Sequence, residues 1–344
     1  MTTTTSIATH YEQFLQLLTR GPRAGADGSG TVRARYGERA DPSGGSQPIV
    51  LTRDEWILNQ IDLALALGRL LTEDDVVVSA VPYELSFTGA EVDRVIEMVG
   101  ASVISVGTSG TICPMQRLLG LIEQYEVTAL VCPPSFAAEL ASLASSLGRR
   151  PEDSTVRTLV CVGEACSTER LDRIGAAWAA KTSAVYGTPS TPTVAVACDH
   201  GALHLCDHRL RAEVRGASRG ELLLDGSPTG ELVELWPADR RCDCGSASRV
   251  LVPLGTAASA VRGPDGLVST LDVERVVFGH RRLAPHFACA VRDGTFHVTC
   301  ALAGPQAVDE GAMRRAIRSG IGEALGVEAE VTVVGVHDWS TATS

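Results

Sequence analysis

The sequence predicts an α/β fold: a parallel sheet flanked by helices, then an antiparallel subdomain, then a small α+β C-terminal domain. Three observations predict it. Short apolar, β-branched runs alternate with longer helical segments as far as Tyr186, the signature of a parallel sheet covered by helices. Residues 193–262 then read as short strands separated by turns. Turn chemistry at Arg262-Gly263-Pro264-Asp265-Gly266 marks a hinge before a second, shorter alternation. The implied organisation is a large unit over 1–262, with its antiparallel part at about 193–262, and a small one over 263–344.

Taken in order, residues 9–19 have helical spacing, and residues 21–48, rich in Gly, Ser, Arg and Asp, read as a loop. Thr52, with Glu55 three residues on, forms a capping box that starts a helix running to about Leu71. Strands follow at 76–81, 102–106, 128–132, 155–162 and 182–186. The helices between them lie at 91–99, 115–125, 135–147 and 168–181. Beyond Tyr186, 209–215 and 221–224 read as strands. The tail reads as helix 270–278, strands 287–291 and 295–300, helix 308–325 and strand 328–336.

The 344 residues carry a net charge of −11, which argues against nucleic acid as a partner. No apolar run is long enough to span a membrane and no signal peptide opens the chain, so the expected location is cytoplasmic.

Ten cysteines are many for such a chain, and disulfides are not expected in the cytoplasm. Cys132, Cys161, Cys289 and Cys300 sit in apolar runs and read as small buried hydrophobes. Cys242-Asp243-Cys244-Gly245 brings two thiols together on a tight turn, and Cys198-Asp199-His200-Gly201-Ala202-Leu203-His204 supplies a third with two imidazoles. Three sulfurs and one nitrogen suit a closed tetrahedral zinc. His200, His204, Cys206 and His208 compete for the fourth place, and the plainer alternative is two unrelated loops with surface thiols.

From about residue 75 to 280 the chain resembles the phenylacetate–coenzyme A ligase branch of the adenylate-forming (acyl-CoA synthetase, AMP-binding) superfamily. The likeness rests on a series of short motifs in family order. Tyr83-Glu84-Leu85-Ser86-Phe87-Thr88-Gly89 is similar to the family's Tyr-Gly-x-x-Phe-Thr-Gly, and Cys132-Pro133-Pro134-Ser135-Phe136 to its Thr-Pro-Ser-Tyr. Val162-Gly163-Glu164 resembles the Gly-Ala-Glu turn near the adenine, and Tyr186-Gly187 the Tyr-Gly of the next strand end. Cys198, Gly201-Ala202-Leu203-His204, Thr229-Gly230-Glu231-Leu232, Cys242-Asp243-Cys244-Gly245 and the Arg262-Gly263 hinge complete it. The resemblance implies zinc on Cys198, His204, Cys242 and Cys244. It also implies a substrate site built from Tyr83, Phe87, Phe136, Gly163, Tyr186, Gly187 and Glu231.

The departures concern charge. Where the family's phosphate loop carries lysine, Pro42-Ser43-Gly44-Gly45-Ser46-Gln47-Pro48 has Gln47. Ser190 stands at the magnesium glutamate, Glu231 at the ribose-binding aspartate, and Leu254-Gly255-Thr256-Ala257-Ala258 lacks the expected arginine and aspartates. The late lysine has no counterpart before Val336-His337-Asp338-Trp339, and the resemblance implies a chain shortened at its N-terminus relative to the usual enzyme. Each loss removes stabilisation where charge develops in adenylation, so ATP and magnesium are not expected.

The expected activity is therefore ATP-independent acyl handling. An acyl or aryl group would pass from a CoA or carrier-protein thioester to an amine, alcohol or thiol, at the C-terminal ends of the parallel strands. Glu164 is the candidate general base. Cys166, near a helix start, is the best-placed candidate nucleophile, ahead of Cys113 and Cys206. The partners would be a small acyl or aryl substrate and an acyl or peptidyl carrier protein, with a homodimer left open. The alternatives are an ATP-dependent aryl- or acyl-CoA ligase with a divergent nucleotide site, and a non-catalytic partner of a ligase or carrier protein.

Overall fold

The computed structural model describes residues 33–40, 46–216, 218–304 and 309–343; the helix expected at 9–19 and most of the stretch 42–48 lie outside them. The described chain opens with β1 (Arg33–Ala40) and β2 (Ser46–Thr52), an antiparallel hairpin. This corrects the loop expected over 21–48. The segment is polar, and tertiary contacts hold it: Glu38 N–H donates to the Leu85 carbonyl at 2.8 Å, and the Arg35 guanidinium lies 4.5 Å over the Trp56 ring.

An alternating α/β series follows: α1 (Arg53–Leu67), β3 (Val76–Ser79), α2 (Thr88–Val99), β4 (Ser102–Ser105), α3 (Met115–Gln124), β5 (Ala129–Cys132), α4 (Pro134–Ser146), β6 (Thr158–Val162) and α5 (Thr168–Trp178). The Thr52–Glu55 capping box starts α1 as its spacing predicts. The helix ends at Leu67, ahead of Gly68 and short of Leu71. β7 (Lys181–Thr188) and β8 (Thr191–Ala197) then turn back as a hairpin. β9 (Leu203–Leu205), β10 (Ala212–Arg215), β11 (Arg219–Leu224), β12 (Ser227–Leu235) and β13 (Val250–Thr256) continue antiparallel.

All but the first hairpin of these strands form one eleven-stranded sheet, ordered β10-β11-β12-β13-β9-β8-β7-β6-β5-β3-β4. The antiparallel part is thus a continuation of the parallel sheet, joined where β8 reverses against β7. Strand pleating splits the core. Val78, Leu130 and Leu159 face a cluster with α3, α4 and α5, centred on Trp178. Val77, Val131 and Val160 face the other, with Leu63 and Leu67 of α1 and Val92 and Val95 of α2. Apolar residues at every position of these short strands are what burial on both faces requires.

The hinge sequence is a hairpin, β14 (Ala260–Gly263) and β15 (Gly266–Ser269). It leads to α6 (Thr270–Phe278), β16 (Leu283–Arg292), β17 (Thr295–Leu302), α7 (Glu310–Leu325), β18 (Ala329–Gly335) and α8 (Trp339–Thr343). The last three strands form a separate sheet whose core includes Val277, Phe296, Ile317 and Ile321. Arg173 of α5 seats this part by donating to the carbonyls of Leu283, Phe278 and His280 at 2.5, 2.8 and 2.6 Å. No helix among the described residues is long and apolar enough to cross a membrane.

Candidate active site and metal cluster

The C-terminal ends of β3, β6 and β7 lie along one rim of the parallel sheet, which brings Tyr83, Gly163, Glu164, Tyr186 and Gly187 to that rim. The Tyr83 hydroxyl donates to Asp93 at 2.7 Å and pairs with Ser79 at 2.9 Å. Burial and that carboxylate push its pKa up to about 12. Its ring covers Gly89, where a Cβ would stand 2.6 Å away, so glycine is needed there. Phe87 is buried against Leu51 and Trp56, and Phe136 packs beside the α3–α5 core. Both have core roles in addition to their place near the rim.

Gly163 has φ +83° and no atom within 4 Å of a Cβ position, so the turn after β6 stays bare. Glu164 follows, exposed, and caps α4: it accepts from the Ser135 hydroxyl at 2.5 Å and the Ser135 N–H at 3.2 Å. A candidate base held in this way has a fixed direction. Cys166 meets the opposite conditions. Burial and the Glu274 carboxylate push its thiol well up, so its surroundings oppose the thiolate a nucleophile needs. Burial and Arg117 act in opposite directions on Cys113, with a net rise; Cys206 is pushed up to about 12 by burial and Asp62.

Tyr186 is buried, and its hydroxyl has no hydrogen-bond partner among the described residues. Glu231, on β12, is raised by burial to about 7 and acts electrostatically on Tyr186. Gly187 sits at a register shift in the β7–β8 hairpin, with Pro192 O 2.0 Å from a Cβ position; only glycine fits. Gln47 stands in a strand, paired in register with Arg39. Ser190 occupies the tight turn closed by Thr191 N–H to Thr188 Oγ1 at 3.1 Å.

The cysteine cluster forms where β9 pairs with β13, with His204 opposite Val250. The donor atoms of Cys198, His204, Cys242 and Cys244 lie within 4.8 Å of one another. Cys198 Sγ to Cys242 Sγ is 3.8 Å, and Cys244 Sγ to His204 Nε2 is 3.2 Å. Two thiolates bound to one tetrahedral zinc stand about 3.8 Å apart, so the donor set and spacing fit that ion. The Ser248 carbonyl lies 2.9 Å from His204 Nδ1, which leaves Nε2 to face the sulfurs. The Ser246 N–H donates to Cys244 Sγ at 3.4 Å, and backbone donation of this kind lowers that thiol. Of the competitors, His200 is exposed, Cys206 is buried elsewhere, and His208 pairs with Asp62 at 3.0 Å.

The AMP-binding enzyme family matches residues 49–233, more than half of the chain. This chain belongs to that family. A search of the curated proteins finds no match. Among solved structures, it is similar to a 2-hydroxyisobutyryl-CoA ligase in the postadenylation state with 2-HIB-AMP. The identity is 15%, over 93% of this chain and 74% of that one, with a TM-score of 0.72. An anthranilate CoA ligase in complex with anthranoyl-AMP is 15% identical over 88% and 63% of the two chains, with a TM-score of 0.64. The O-succinylbenzoate coenzyme A synthetase of Bacillus subtilis, in complex with AMP, is 17% identical over 88% and 66%, with a TM-score of 0.59. Such identities show the shared adenylate-forming fold.

Three buried residues of this family member escape a motif-based reading: Asn59, Glu91 and Thr193. One signal was available for Glu91, a carboxylate one helical turn before Val95 on the apolar stripe of α2.

Proposed function

We propose that this AMP-binding family member transfers an acyl or aryl group from a CoA or carrier-protein thioester to an amine, alcohol or thiol, without ATP. The observation that carries the reading is the replacement of charge at the nucleotide-handling positions: Gln47 in a paired strand and Ser190 in a closed turn. Polyphosphate chemistry depends on cations and a metal-holding carboxylate, whereas a thioester arrives already activated. Glu164, aimed by Ser135 and α4, accepts the proton of the attacking acceptor. Gly163 leaves room for backbone approach, and Tyr83, Phe87, Phe136, Tyr186, Gly187 and Glu231 surround the acyl end.

Cys198, His204, Cys242 and Cys244 hold zinc in this proposal. With four protein ligands the ion has no open position, so it ties β9 to the turn before β13 and supplies folding energy, not chemistry. The unit boundary proposed near 262 falls in the β14–β15 hairpin.

A second reading, an ATP-dependent CoA ligase, is favoured by one observation: the three similar proteins described above are CoA ligases or synthetases in complex with acyl-AMP or AMP. A thermal-shift series with ATP and magnesium, AMP, coenzyme A and aryl-CoA thioesters separates the two. Stabilisation by thioesters alone is expected. Stabilisation by ATP with magnesium, followed by pyrophosphate release with a carboxylic acid, overturns the ATP-independent reading. A second check is Glu164→Gln, expected to slow acyl transfer by about 10²–10⁴-fold; an unchanged rate removes Glu164 from the role.

A further inference from the structure

Helix α1 (Arg53–Leu67) is apolar on two faces, and the core covers only one of them. Trp56, Leu63, Ala66 and Leu67 turn inward and are buried. Leu63 and Leu67 pack with the strands of the sheet, and Trp56 meets Leu51 and Phe87. Ile57, Leu58, Ile61 and Leu65 point elsewhere. The first three are half-buried and Leu65 is 58% exposed. None of the four belongs to a hydrophobic cluster of the described residues. At 3.6 residues per turn they lie within about 100° of arc, the width of stripe that a helix buries against a neighbour. The far end of the stripe enters a groove of about 710 Å³, which Leu65 lines together with Leu70, Val196 and Leu205. A helix that is apolar all round is one that is covered all round, so the outer face of α1 lacks its cover.

The chain ahead of β1 supplies a matching surface. Tyr11, Phe14, Leu15 and Leu18 recur at i, i+3, i+4 and i+7, and Leu17 widens the stripe. Glu12, Gln13, Gln16 and Thr19 take the opposite, polar side. The described chain also begins in the right place. Arg33 pairs in register with Thr52, and Thr52 is the N-cap of α1, so the preceding segment joins the fold beside the start of that helix. Residues 20–32 span about 40 Å when extended, whereas the fifteen residues of α1 are about 22 Å long. The whole outer stripe is therefore within reach, and the tether keeps the segment at high effective concentration.

We propose that residues 9–19 form a helix that docks along the outer face of α1, on Ile57, Leu58, Ile61 and Leu65. The contact buries both apolar stripes and encloses α1 between the sheet and the N-terminal segment. It does not depend on what the rim of the sheet binds.

Hydrogen exchange of the full chain, read by mass spectrometry on peptides covering 9–19, tests the contact. These amides should exchange about tenfold or more slowly than in a synthetic peptide of residues 1–32, because a docked helix withholds its N–H groups from water. The double variant Ile61→Gln with Leu65→Gln keeps good helix formers in α1 and should return 9–19 to the rate of the free peptide. Peptides from β3, β5 and β6 should exchange as in wild type, reporting an intact sheet. If the double variant loses the sheet, Leu65→Gln alone takes its place and should still speed exchange of 9–19. Exchange of 9–19 at the free-peptide rate in wild type overturns the proposal, as does protection that survives these substitutions. Light scattering at each concentration gives the oligomeric state. Protection confined to concentrations at which the chain dimerises assigns the stripe to a second copy and overturns docking within one chain.

Discussion

Arg170 of α5 and Glu274 of α6 form an ion pair, 3.4 Å from Nη1 to Oε2, with side chains only 5% and 2% exposed. Glu274 also accepts the Ser167 N–H at 2.7 Å, and Arg170 Nε donates to the Pro285 carbonyl at 3.0 Å. The pair is thus the buried joint between the eleven-stranded sheet and the C-terminal part. Arg170→Met leaves the Glu274 carboxyl buried without its ion-pair partner, and should destabilise by about 3–5 kcal/mol. The double variant Arg170→Met with Glu274→Leu should recover most of that loss. Urea midpoints for the three proteins check it; a single variant as stable as wild type would show that the joint carries no weight.

The purified protein should contain about one zinc per chain, in keeping with a four-ligand structural site. Chelation should lower Tm, and Cys242→Ser should reproduce the loss, since the ion's binding energy is folding energy. Elemental analysis with thermal melts of both proteins is the measurement. Less than half an equivalent, with Cys242→Ser melting like wild type, would sink the zinc assignment.

Two buried groups give stability opposing pH slopes. Glu91 is raised by burial from 4.5 to about 8, so the folded state holds a proton that the unfolded state has released. Its contribution is complete below about pH 4.5 and declines as pH rises through about 8. His286 is lowered by burial and Arg170 from 6.5 to about 4, so its neutral form, with Nε2 2.6 Å from Ser142 Oγ, belongs to the fold. That contribution is present above about pH 6.5 and is lost as pH falls through about 4. Tm profiles from pH 4 to 9 should show Glu91→Gln flattening the alkaline side and His286→Gln the acid side. Profiles parallel to wild type would contradict both assignments.

Gly187 and Gly163 should differ sharply in tolerance to alanine. At Gly187 the Cβ would meet the Pro192 carbonyl oxygen at 2.0 Å, a backbone clash expected to exceed about 4 kcal/mol. At Gly163 only the positive φ opposes alanine, at about 1–2 kcal/mol. Denaturation of the two variants measures the contrast, and equal losses would contradict the β7–β8 geometry.

Local patterns determined a large part of this protein. The alternation of apolar runs and helices determined the parallel sheet, because each short strand buries both faces and must be apolar throughout. Thr52 and Glu55 determined the start of α1, because a capping box is complete within four residues. Residue type and the C-x-C spacing named the three thiols of the metal-competent set, and the family resemblance implied His204 as the fourth member. Tertiary structure alone decided the rest. The β1–β2 hairpin lay hidden in a polar stretch because its support comes from Trp56 and Leu85, distant in sequence. His204 stands among the sulfurs because β9 pairs with β13. The outer face of α1 also had to wait for the fold. Apolar residues recur all round that helix, and only packing shows that Trp56, Leu63 and Leu67 turn inward while Ile57, Ile61 and Leu65 stay outside the core.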